Sequence, residues 1–153
     1  MILGNVINRL MGKSKNTNNT TAIPEYRHTF MPKAITTNFV SEIERLKTIN
    51  DMAYSILIQE EAREVRNYHR GMITAYEIIV NEFKQNKDLR NTNTLRNVLV
   101  SMVAFTQEEL VSLDMRTNHD KLLKHFIDGK IQGAKVMIAM VDSIENMLIH
   151  NLI

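Results

Sequence analysis

The chain has 153 residues, 19 basic and 17 acidic side chains for a formal charge of +2, ten methionines, five glycines, two prolines and no cysteine. That length can bury a core, the absence of cysteine excludes disulfides and thiolate chemistry, and so small a net charge does not by itself argue for nucleic acid. Two prolines and five glycines are too little punctuation for a fold of many β-turns, and no apolar run approaches the ~20 residues of a membrane span, so an all-α fold is expected.

Residues 1–12 read as an amphipathic N-terminal helix. Ile2, Leu3, Val6, Ile7, Leu10 and Met11 share one stripe, Asn5, Asn8 and Arg9 lie opposite, and Gly12 offers a C-terminal stop. Three turns do not hold themselves in water, so the segment must dock on its own bundle, a sister subunit, a partner protein or a membrane surface, the last being least favoured. It lacks leading basic residues and a small-residue cleavage site, so it is not read as a secretory signal, and a cytoplasmic or virion location is expected. Residues 13–36 read as a flexible tether followed by an extended arm, with Pro24 and Pro32 around Tyr26, Phe30 and Met31. Charge is uneven: residues 1–33 carry five basic groups and one acidic, residues 34–86 sum to −2, and the remainder is neutral.

The rest, residues 37–153, is expected to form a helical bundle domain. From 38 to 85 apolar residues recur mostly in steps of three and four (Phe39, Ile43, Leu46, Ile49, Ala53, Leu57, Ala62, Val65, Tyr68, Met72, Tyr76, Ile79, Phe83), which is the helical period. Ser41 and Glu44 are placed to form a capping box near its start. A continuous helix of that length would be a rod of about 65 to 70 Å, longer than a globule of this size is wide. Either it breaks near the polar stretch 59–67 or the molecule is elongated and other chains supply its burial.

After a loop at 85–94, a helix is expected at about 94–116 with Leu95, Val98, Leu99, Met102, Phe105, Leu110 and Leu113 inward, and a capping box at Thr106 and Glu109 allows a restart there. A last helix, about 119–152, carries Leu123, Phe126, Ile127, Ile131, Ala134, Met137, Ile138, Val141, Ile144, Leu148 and Leu152. The apolar C terminus, Leu148, Ile149, Leu152 and Ile153, reads as a buried contact supplied by the chain itself or by another subunit. Residues 68–75 and 126–133 share an aromatic residue three before a glycine and a small residue four after it. Gly71, Ala75, Gly129 and Gly133 are therefore expected at the tightest helix crossing.

No carrier of catalysis emerges. Gly12-Lys13-Ser14 has the tail of a phosphate-binding loop, but Ile7 stands where the pattern requires glycine. The one Glu-x-x-His match, Glu25 to His28, lies in the arm, while His69, His119, His125 and His150 have no glutamate three before them. Glu60, Glu61 and Glu64 interleave with Arg63 and Arg66 as a solvated ion-pair face. No catalytic residue, metal site or cofactor is expected, and the reading is non-enzymatic.

The stretch 106–126 (TQEELVSLDMRTNHDKLLKHF) opens with Thr-Gln-Glu-Glu-Leu and resembles the first helix of bacterial helix-turn-helix repressors. It departs from them in lacking the turn glycine and in carrying Val111 where a small alanine is usual. The resemblance implies a recognition helix presenting Asn118, His119, Lys121 and Lys124. The abundance of asparagine, isoleucine and lysine in a short helical chain is similar to small proteins of bacteriophages and mobile elements from low-GC bacteria.

The expected architecture is an elongated all-α bundle of three main antiparallel helices, about 38–85, 94–116 and 119–152, plus the tethered N-terminal helix. The expected function is a self-associating or partner-binding helical protein, a homo-oligomer or the partner of another protein. A small structural or accessory component of a phage particle fits that description. The alternatives are a DNA-binding or host-modulating regulator using the basic arm and the 106–126 segment, or a helical sponge for a small ligand.

Overall fold

A computed structural model of the chain describes residues 30–57 and 62–150. Four helices account for most of them: α1 Lys33–Ile56, α2 Arg63–Gln85, α3 Thr92–Val111 and α4 Asn118–Ile149, with a 3₁₀ turn Lys87–Arg90 before α3. The single rod expected over 38–85 is therefore two helices, and the bundle has four main helices rather than three. Helix α1 stops at Ile56, Leu57 leaves helical geometry at φ −84° and ψ 61°, and α2 begins at Arg63.

The two helices fold back on each other. Lys47 pairs with Glu77 at 3.1 Å, Asn50 Oδ1 lies 2.7 Å from His69 Nδ1, and the Arg66 guanidinium donates to the Tyr54 hydroxyl at 3.2 Å. The sequence separation shrinks toward the connection, as in an antiparallel hairpin. A straight rod would have left the apolar faces of both helices in water. Folded back, Phe39 meets Phe83 with ring centroids 5.6 Å apart, and Ile43, Tyr76 and Ile79 are fully buried. Each such side chain contributes ~1.5–3 kcal/mol on leaving water, enough to select the hairpin over the rod.

Helix α1 also starts earlier than its polar residues suggested. Pro32 holds the N-cap position, where its missing N–H costs nothing, and Thr36 Oγ1 donates to the Pro32 carbonyl at 3.1 Å. Ser41 is mid-helix, so Ser41 and Glu44 do not form a cap. The arm expected to run to residue 36 stops short of it, because residues 33–36 are already the first turn of α1; residues 13–29 lie outside the described residues, and Phe30 and Met31 contact the start of α3. Phe30 bridges to Asn91, Met31 N donates to the Arg90 carbonyl at 2.8 Å, and Arg90 Nε donates back to the Met31 carbonyl at 3.1 Å. Met31 is fully buried, and the Arg90 guanidinium stacks 4.7 Å over the Phe30 ring.

Asn91 caps α3, its side chain accepting from Asn93 N and Thr94 N at 2.9 and 3.2 Å. The expected restart at Thr106 does not occur. Its hydroxyl is buried and donates to the Met102 carbonyl at 2.6 Å, and the helix runs through to Val111. Residues 112–117 form the turn into α4, whose first turn is held by Thr117 Oγ1 accepting from Asp120 N at 3.1 Å.

Helix α4, about 48 Å long at the usual rise, packs along both α2 and α3, while α1 packs on α2. The core runs through Leu89, Leu95, Leu99, Met102, Ala134, Met137 and Val141. At one place α2 and α4 come to backbone contact. A Cβ added at Gly71 would collide with the Phe126 carbonyl oxygen, and one added at Gly129 would collide with the Tyr68 carbonyl oxygen. Gly133 is in the same seam, its own Cβ position 2.9 Å from Ala75 Cβ. The crossing is reciprocal because each helix offers an aromatic residue's carbonyl to the other's glycine three residues on, so Cα–H groups face carbonyls in both directions.

Candidate interaction surfaces

Because α1 and α4 both flank α2, a furrow is left between them. Its walls are Ile35 and Phe39 from the first turns of α1 and Met140, Ile144 and Met147 from the last third of α4, with Asn38, Glu42 and Ser143 on the rim. The volume is about 610 Å³ and the lining is almost wholly apolar. So apolar a lining suits an apolar occupant rather than a polar substrate.

The same edge of α1 continues beyond the furrow as Ile49, Met52 and Ile56, which are 47, 61 and 77 % exposed. With Ile35, Asn38, Glu42 and Arg45 they keep alternating steps of three and four, so α1 carries a second stripe beside its core stripe Phe39, Ile43, Leu46 and Asn50. Sequence reasoning placed Ile49 on the core stripe and did not single out Met52 or Ile56. Only knowledge of which α1 edge abuts α2 separates the two stripes. A smaller hollow of about 340 Å³ lies along α3 between Ala104, Gln107, Glu108 and Val111.

Polar groups near the α1–α2 connection fix register. Asn50, nearly buried, donates from Nδ2 to the Leu46 carbonyl at 2.8 Å while its Oδ1 faces His69. On the other side of α2, Asn67 Nδ2 donates to the Leu122 carbonyl at 3.1 Å, and Glu64 lies 3.5 Å from His125 Nε2. His69 and His125 thus have structural partners, and among the described residues no group of three or more His, Asp or Glu side chains is placed to hold a metal ion. Burial, and to a smaller degree Asp128, pushes the Tyr68 hydroxyl above its ordinary pKa. Tyr76 is raised by burial with Tyr68 adding to it. Both shifts follow from packing at the α2–α4 crossing.

The residues singled out in the sequence fall into several places. Gly71, Ala75, Gly129 and Gly133 come together at the α2–α4 crossing. Leu148 is buried in the bundle's own core, so it is not available as a partner contact. Ile149 is 48 % exposed, whereas Leu152, Ile153 and the stripe Ile2, Leu3, Val6, Ile7, Leu10 and Met11 lie outside the described residues, as do Glu60 and Glu61. Asn118, His119 and Lys121 are exposed on the first turn of α4. Lys124 pairs with Asp128 at 2.7 Å, and the helix that carries these residues continues for 32 residues as the long packing element of the bundle.

Among the described residues no helix is long and apolar enough to cross a membrane. No protein-family model, curated protein or solved structure matches the chain.

Proposed function

We propose that the chain is a non-enzymatic helical protein that self-associates through α1. The observation that carries this reading is the exposed stripe Ile49, Met52 and Ile56, three large apolar side chains in register on a helix face that none of the described residues covers. The stripe is close to symmetric about Met52, with an isoleucine three residues before it and another four after. That is the pattern an isologous contact needs: in an antiparallel crossing of two α1 helices, Ile49 meets the partner's Ile56 and the two Met52 side chains meet on the axis. Methionine at the centre fills an imperfectly matched gap better than a branched residue does.

The chain has no cysteine, so the test is clean. Met52→Cys under mild oxidation joins two chains, whereas Asp51→Cys, exposed one residue away and pointing off the stripe, does not. Equal cross-linking at both positions refutes the geometry. Within this reading the biological role is that of a small structural or accessory component of a phage particle. Its support is compositional: a short, cysteine-free, asparagine- and lysine-rich helical chain.

A further inference from the structure

We infer that the α1–α4 furrow is the seat of the chain's own N-terminal apolar stripe, residues 2–11. The seat is separate from the Ile49, Met52 and Ile56 contact and does not depend on it.

Position is the first argument. The described chain enters at Phe30 and Met31, which are hydrogen-bonded to Arg90 beside the start of α3. The start of α3 is tied to the end of α4: Thr92 Oγ1 donates to Glu145 Oε2 at 2.9 Å, and Arg96 reaches Asp142 and Glu145 at 2.7 and 2.8 Å. Glu145 lies between the furrow residues Ile144 and Met147, and Ile35 is four residues beyond Met31. Chain entry and furrow therefore share one end of the bundle.

Size is the second. Along α4 the furrow extends from Val136 to Met147, about 17 Å at helical rise, and residues 2–11 as a helix are about 15 Å long. Eighteen residues, 12–29, separate the stripe from Phe30, and a coil of that length averages about 23 Å end to end, enough to return over the furrow. A tether of that length holds the stripe at a local concentration of order millimolar, far above that of a second copy in dilute solution.

Chemistry is the third. The furrow offers apolar walls, and its one acidic rim residue, Glu42, is already paired with Arg45, so the match is between apolar faces rather than charges. Residues 1–15 offer six apolar side chains on one face together with Arg9, Lys13 and Lys15 and no acidic residue. Seating buries both apolar faces and leaves the basic groups at the rim.

The test uses the full chain with single engineered cysteines. Met140→Cys, in the furrow wall, is expected to react with a water-soluble thiol reagent at least tenfold more slowly than the same cysteine in a chain also carrying Val6→Asp and Leu10→Asp. Val6→Cys combined with Met140→Cys is expected to close a disulfide within one chain, at a rate independent of protein concentration. Equal reactivity of Met140→Cys with and without the aspartates overturns the inference. So does a disulfide that forms only between chains, which would mean that the stripe seats in a second copy. Failure of the α1 self-contact appears separately, as loss of Met52→Cys cross-linking with Met140→Cys still protected.

Discussion

Replacing Gly129 with alanine tests the α2–α4 crossing where the bundle is tightest. A methyl group there would overlap the Tyr68 carbonyl oxygen, lie 2.8 Å from the Tyr68 carbonyl carbon and 3.1 Å from Met72 N. All three neighbours are backbone, so no side-chain rotation relieves the overlap and α2 must retreat. A retreat of roughly an ångström forfeits a quarter to a half of the dispersion well of each contact along the seam, and overpacking of this kind typically costs ~1–3 kcal/mol. Alanine returns about 1 kcal/mol of helix propensity. With backbone on both sides, the upper part of the range applies, and the net cost is about 2 kcal/mol, roughly 4 to 8 °C in melting temperature. Gly71→Ala meets the Phe126 carbonyl in the same way and should cost as much. Gly133→Ala would set a methyl group 2.9 Å from the Ala75 Cβ, which has no rotamer to move to, and 3.3 Å from the Met72 carbonyl oxygen, so it should also destabilise, by less than the other two. The double variant at Gly71 and Gly129 should cost less than the sum, because one retreat accommodates both methyl groups. Urea unfolding followed by circular dichroism reads all four. A higher urea midpoint for Gly71→Ala and Gly129→Ala would show that propensity outweighs packing and refute the close crossing.

Other perturbations follow from the same geometry. Arg96→Ala removes the guanidinium shared by Asp142 and Glu145 and leaves half-buried Glu145 facing only Thr92. The expected loss is ~1 kcal/mol, smaller in high salt, measured as a shift in urea midpoint at two ionic strengths. The raised pKa values of Tyr68 and Tyr76 mean that the folded state holds these protons more tightly than the unfolded chain. Their stabilising contribution is therefore complete below the unfolded tyrosine pKa of about 10 and is lost as pH rises through the folded values. Unfolding midpoints measured from pH 8 to 11 should fall steeply at the alkaline end, and less steeply in Tyr76→Phe; identical slopes would count against burial as the cause. In the DNA-binding alternative, affinity for duplex DNA should fall steeply with salt and weaken in the Lys121→Ala, Lys124→Ala double variant. Our reading expects no salt-dependent shift in fluorescence anisotropy for either protein.

How much of this was legible beforehand can be followed residue by residue. The all-α class came from scarce glycine and proline, and the long α4 from an unbroken apolar period. The glycine crossing was visible as two matching patterns of aromatic residue, glycine and small residue, since close approach of helices restricts residue type so strongly. The break between α1 and α2 was present but weak: Leu57 to Ala62 is a step of five in a series of threes and fours. What decided the break was the burial available to Phe39, Ile43, Tyr76 and Ile79 once the two helices met, a tertiary gain that local pattern does not contain. Ser41 and Thr106 misled for a common reason. A hydroxyl three residues before a glutamate caps a helix only where the backbone is free, and here Pro32 starts α1 earlier while Thr106 satisfies its hydroxyl on the preceding turn. The stripe at Ile49, Met52 and Ile56 was hidden because apolar residues occupy two adjacent edges of α1, and periodicity alone does not say which edge faces the core.

The most direct measurement is absolute mass in solution by light scattering, on the full chain and on the Met52→Glu, Ile56→Glu variant. Both substitutions fall on side chains that are mostly exposed, so the bundle itself should keep its helical content. The account predicts a discrete dimer or dimer-based oligomer for the full chain and a monomer of unchanged circular dichroism for the variant. A full chain that is monomeric at high concentration, or a variant with undiminished mass, would contradict self-association through α1.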